Sequence, residues 1–192
     1  MNFMIDLLLL SLKDPNAAAQ RILDLQPSIV TALSAFVATI IIAVVLMFAL
    51  NGFSTGAILP GFAPISPVTL ASVMGVGTLG LVGAIWLVGR ALGGSGSFAD
   101  GILVFAWIQM LQVLLQVAQT ALMLISITLG GLVSLIATGL LFWILFGLIN
   151  SWMHLGSMWK AASCFIIGVI GLSMAGAFIL VSFGVSPGQV AL

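Results

Sequence analysis

The sequence is short of charge before it is short of anything else. Of its 192 residues only 4% are Asp, Glu, Lys or Arg, against 62% that are hydrophobic. Soluble globular chains carry about 25% charged residues. A water-facing surface cannot be built from so few, so the composition defines a polytopic membrane protein. The eight charges cancel, with four basic and four acidic residues. No basic run is present, which argues against a nucleic-acid partner and against a polybasic lipid-headgroup site. The single cysteine, Cys164, rules out an internal disulfide and a cysteine-based metal cluster. It sits in an apolar run and is expected to pack as a small hydrophobe. Tyrosine is absent and histidine occurs once, as His154. The first residues, MNFMIDLLLLSL, have no basic start, contain Asp6 and lack a close cleavage site, so the segment is read as retained.

What is present is a series of long apolar runs. Five are long enough to cross a bilayer: residues about 29–50, 68–89, 100–124, 128–150 and 161–183. They form an all-α membrane unit over residues 28–192, preceded at 1–27 by short interfacial, amphipathic helices. The first of these is expected over residues 2–12. The second is expected to run from Pro15 to about Leu25, with Asp14 as N-cap, Pro15 at the first helical position, and Ala18, Ile22 and Leu25 on one face. Pro27 and Ser28 then open the first crossing. Residues 51–67, rich in glycine and proline and uncharged, read as a loop. The turn between the third and fourth crossings is marked only by Ser126, Thr128, Gly130 and Gly131.

Charge placement supports an odd number of crossings. With the N-terminus inside, Lys13, Arg21, Arg90 and Lys160 all fall inside. Asp6, Asp14, Asp24 and Asp100 fall on the same side, and the C-terminus lies outside. Trp152 and Trp159 suit the membrane interface.

The third run differs from the rest. It carries Gln109, Gln112, Gln116 and Gln119, which fall at roughly 0°, −60°, −20° and −80° around a helix. This narrow polar stripe predicts a helix inside the bundle with its amides turned to protein. Two roles fit: interhelical hydrogen bonds, or a polar path for water or a small solute. The first is favoured, because the crossings hold no ionisable group at mid-depth and coupled transport normally needs one. Small residues at four-residue spacing offer close helix approach: Ala71 with Gly75, Gly80 with Ala84, Gly130 with Ser134, and Gly171 with Ala175.

Catalytic patterns are weak. Gly93 to Gly96 resembles a phosphate loop only in composition, without the preceding strand or the lysine spacing. His154 invites a haem or pigment reading but reads more simply as an interfacial histidine. No four-ligand zinc set and no nucleophile–base pair stands out. No metal or cofactor is expected, and the chain is read as non-enzymatic.

Three stretches resemble a known family: LKDPNAAAQRIL at 12–23, GRALGGSGSFADGILVFAWIQMLQ at 89–112, and WMHLGSMWKAASCFIIGVIG at 152–171. Together they are similar to the Yip-domain family, in its small alphaproteobacterial branch. Asp14, Pro15, Arg90, Phe98, Trp107 and His154 are the positions that match. The resemblance implies a proline-started N-terminal helix, five crossings, an inside N-terminus and a bacterial inner-membrane location. Eukaryotic relatives, with longer cytosolic segments, are associated with small GTPases and vesicle traffic, a role this short N-terminal region does not bring with it. The expected function is an adaptor, accessory subunit or membrane-organising protein acting on other membrane proteins or on itself. A solute or lipid transporter using the glutamine stripe, and a pigment- or haem-associated subunit, are the alternatives.

Overall fold

The structure is a computed structural model that describes residues 3–26, 28–50 and 66–182. The expectations for Pro27, for most of the 51–67 loop and for the C-terminal tail fall outside these residues. The described residues form seven α-helices: α1 (Phe3–Lys13), α2 (Pro15–Leu23), α3 (Ile29–Leu50), α4 (Pro67–Ala91), α5 (Phe98–Ile125), α6 (Ile127–Met153) and α7 (Met158–Ser182). The last five are each long and apolar enough to cross a membrane.

Local chemistry sets the helix starts. The Asp14 carboxylate accepts from the backbone N–H groups of Asn16 and Ala17, and Pro15 opens α2. Ser66 caps α4, so Pro67 belongs to the helix rather than to the loop before it. Ser97 caps α5: its hydroxyl accepts from Asp100 N and donates to the Asp100 carboxylate at 2.6 Å. The carboxylate thus holds the capping hydroxyl in place from inside the first turn, where its charge also suits the helix N-terminus. The turn between α5 and α6 is tighter than expected. Only Ser126 lies between the helices, extended at φ −158°, and Thr128, Gly130 and Gly131 are already helical. α2 ends at Leu23, two residues early, so Leu25 leaves the buried face and is exposed.

α5 is the centre of the bundle. More than half of its most apolar stretch is buried, against a third or less for each of the other four. It packs against α3, α4 and α6, while α7 closes the far side by lying on α4 and α6. α1 and α2 form a hairpin against α6 and α5 at the end of the bundle that holds all eight charged residues. That end is tightly built. Trp152, expected at the interface, is completely buried there. Its indole N–H donates to Ser97 O at 2.7 Å, and its ring meets Phe105 edge-on at 6.5 Å. Gly96 and Gly101 lie against this indole so closely that a methyl group at either would overlap it. Trp159, by contrast, is almost fully exposed.

The uncharged end is looser. Val73 and Val76 of α4, Leu135 and Ile136 of α6, and Met174 and Phe178 of α7 are all exposed. Of the four small-residue pairs, three meet neighbours: Gly75 faces Ile40, Gly80 faces Leu172, and Gly130 faces Met123. Gly171 meets nothing within 4 Å, so the Gly171/Ala175 pair makes no close helix contact among the described residues. On the other half of α7, Gly168 lets that helix approach the backbone of Ile85, and the buried Cys164 donates its S–H to Ile85 O at 3.2 Å.

Candidate functional site

The helix bundle brings the four glutamines into different surroundings. Gln109 is buried at the junction of three helices. Its carbonyl accepts from Thr39 of α3 at 3.1 Å, and its NH₂ donates to Thr78 of α4 at 3.3 Å. Thr39 also donates to its own helix at Phe36 O, at 2.8 Å, so one hydroxyl proton is shared between two acceptors. Gln109 thus ties the two helices flanking α5 to it, as a packing residue does.

The other three behave differently. Gln116 and Gln119 are half-buried and Gln112 is exposed. Among the described residues no hydrogen bond reaches any of these three side-chain amides. The stripe is one face in sequence, but among the described residues only its member nearest the charged end is paired. The physical reason is which side chains the neighbours present: α3 and α4 bring the hydroxyls of Thr39 and Thr78 to Gln109.

Gln109 and Gln112 border a cavity of about 410 Å³ enclosed by α4, α5, α6 and α7. Phe105, Ile108 and Leu145, all buried, form its floor on the side of the charged end. Gln112, Thr138 and Phe142 are exposed and mark its mouth toward the uncharged half. Phe142 and Phe165 meet edge-on across the wall at 6.3 Å. The cavity is therefore a pit, closed below and open above, lying near the middle of the crossing helices.

A second cluster lies at the charged end, and it rests on residues that sequence reading did not single out. Asn150 donates to the Asn16 side chain at 3.1 Å and Ser151 does so at 3.0 Å, while Asn150 Oδ1 accepts from Ser157 N at 2.9 Å. These bonds join α2 to the end of α6 and the start of α7. A polar run of Asn-Ser near a helix end was the available signal, but nothing local pointed to Asn16 as its partner. His154 stands beside the cluster, exposed and left-handed at φ 53°, closing α6 as its C-cap. Its Nδ1 lies 3.5 Å from the Ser95 hydroxyl. The adjoining groove is lined by Asn16, Gln20, Asp24, Asn150 and Ser151, a polar setting rather than an apolar slot for a flat macrocycle.

The remaining family-like positions are spread over the charged half. Pro15 packs into the space left by Gly147, where a Cβ would come within 2.6 Å of the proline ring. Arg90 lies over the Trp86 ring at 5.5 Å, and Phe98 meets the same ring edge-on at 6.2 Å. Trp107 is buried and donates to Ser11 at 3.0 Å, which fastens α1 to α5. These residues hold the hairpin, the α4–α5 link and the bundle together. They do not converge on one point.

Seven helices with five of crossing length, arranged around one buried polar helix, define a multi-pass α-helical membrane protein. The Yip1 domain matches residues 9–179, nearly the whole described bundle. The chain belongs to the Yip1 domain family. No curated protein and no solved structure matches it.

Proposed function

We propose that this protein is a non-catalytic membrane adaptor that works through helix contacts inside the bilayer, with its charged end on the cytoplasmic side of a bacterial inner membrane. One observation carries the reading: Gln116 and Gln119 sit within the crossing region, and their amides find no partner among the described residues. An amide left unpaired in hydrocarbon is costly, and interhelical bonds from such groups contribute about 0.6–2 kcal/mol each. The bare Gly171/Ala175 face on α7 adds a place for close backbone approach. The partner is another integral membrane protein or a second copy. The pit floor of Phe105, Ile108 and Leu145 weighs against a continuous solute path along the stripe.

The test is cross-linking in nanodiscs. With Cys164 replaced by alanine, Ala175→Cys places the only thiol on the bare face. A discrete cross-linked species, weakened by Gln116→Leu combined with Gln119→Leu, is the expected result. A chain that stays monomeric and purifies from its membrane with nothing attached overturns the reading. Labelling of Ser95→Cys from the cytoplasmic side alone checks the orientation.

A further inference from the structure

The pit between α4, α5, α6 and α7 has the size of a ligand site. Its volume of about 410 Å³ falls within the range of roughly 300–1,000 Å³ typical of small-molecule pockets. An α-helix, about 10–12 Å across with its side chains, does not fit into it. A partner helix can cover the mouth but not fill the interior.

Its chemistry narrows the occupant. Charge is excluded first. Asp100, the charged residue on α5, lies roughly 18 Å along the helix from Gln112. An ionised group at this depth would have no counter-ion and would cost about 2.5–3.5 kcal/mol or more. The wall is otherwise apolar and aromatic, with Leu81, Phe105, Leu141, Phe142 and Phe165.

The Gln112 amide is the free hydrogen-bonding group at the pit, with both its N–H groups and its carbonyl unmet among the described residues. The Gln112 NH₂ offers two N–H groups, and no acceptor in the described structure meets them. The Thr78 hydroxyl accepts from Gln109 and has its own proton to spare. The Thr138 hydroxyl donates to Ser134 O at 2.8 Å and its proton is committed. The Gln112 N–H groups and the Thr78 hydroxyl proton match a carbonyl acceptor, while the Gln112 carbonyl and the Thr138 lone pairs can also take a hydroxyl of the same ligand.

Depth excludes the commonest carbonyls. Gln112 lies midway along α5. Phospholipid esters sit at the edge of a hydrocarbon core about 30 Å thick, roughly 15 Å from its centre, and are held there by a charged headgroup. A carbonyl that reaches the midplane belongs to a molecule with no such headgroup.

We infer that the pit binds an uncharged, carbonyl-bearing amphiphile that moves within the bilayer midplane, with Gln112 as its hydrogen-bond donor. A quinone and a neutral diacylglyceride share this chemistry. The aromatic wall suits the flat ring of the first, and the apolar floor accepts the chain of either.

The experiment is native mass spectrometry of the full chain released from mild detergent. The chain is first equilibrated with decylubiquinone, with dioctanoylglycerol, or with the dioctyl ether analogue that lacks both ester carbonyls. One bound molecule per chain is expected for at least one carbonyl probe, and which probe binds identifies the source. Occupancy falls about five- to tenfold in Gln112→Leu, the loss of one buried neutral hydrogen bond. It also falls for the ether analogue. Gln116→Leu leaves it unchanged. Leu141→Trp, which fills the pit without touching the amide, abolishes binding of both probes. The inference is overturned if neither carbonyl probe binds. It is equally overturned if the ether analogue binds as well as the ester, or if Gln112→Leu retains full occupancy, since the pit then holds hydrocarbon without recognition.

Discussion

Replacing Gly101 with alanine sets two opposed effects against each other at one site. Alanine is the better helix former, by about 0.8–1.0 kcal/mol in a helix interior. Against this stands the Trp152 indole. A Cβ at position 101 would come within 2.6 Å of Trp152 Cη2 and closer still to Cζ2. The indole cannot retreat. It is fully buried, its N–H is held by Ser97 O at 2.7 Å, and Phe105 stands on its other side. Overpacking a rigid core costs about 1–3 kcal/mol. The clash wins, because Gly101 is in the first turn of α5, where propensity counts least. The expected net loss is about 1–2 kcal/mol. Gly139→Ala is the control, since nothing lies within 4 Å of its Cβ position. It should be neutral or more stable by up to about 1 kcal/mol. Trp152→Phe removes the benzo ring that Gly101 faces, at the cost of the indole's hydrogen bond to Ser97 O, about 0.5–1.5 kcal/mol, since Gly101 N still donates to that carbonyl at 3.3 Å. In the double variant the clash is gone, so the two changes should compensate by at least about 0.5 kcal/mol. Reversible unfolding in mixed micelles, followed by near-ultraviolet circular dichroism, measures the four variants against the parent. The reasoning fails if Gly101→Ala is as stable as the parent, or if the two substitutions add within about 0.3 kcal/mol.

Other outcomes follow from the same geometry. Asp14→Ala removes the acceptor for Asn16 N and Ala17 N and should destabilise α2 by about 0.5–2 kcal/mol, read as faster amide exchange over residues 15–23. Gly147→Ala drives a methyl into Pro15 and should lift the α1–α2 hairpin from α6, read as new protease cleavage near Asp24 while the five crossings stay intact. A Gln109→Leu and Thr39→Ala double-mutant cycle should give a coupling near 0.6 kcal/mol rather than the upper value of about 1.7, because Thr39 divides its one proton between Gln109 and Phe36 O. A coupling above that upper value would mean the proton is not shared.

The number of crossings, their approximate limits and the gathering of all charge at one end were determined by the sequence alone. These follow from one physical constraint, that hydrocarbon accepts long uncharged helices and little else. The Asp14–Pro15 helix start was legible for a related reason: an N-cap bonds only to its own next turn. Where a feature depended on distant residues, the sequence stopped short. Four glutamines share one face of α5, yet among the described residues only the Gln109 amide meets partners, because Thr39 of α3 and Thr78 of α4 are brought to that turn. Trp152 looked interfacial by position and is buried, since Ser97, Gly101 and Phe105 are brought around it from 47 to 55 residues away. Asn16 and Asn150, 134 residues apart, pair across the hairpin and no local pattern joins them. Composition and periodicity say which helices can enter a membrane. Only the packing of one helix on another decides which polar groups are answered there, and which, like Gln112, are left facing an open pit.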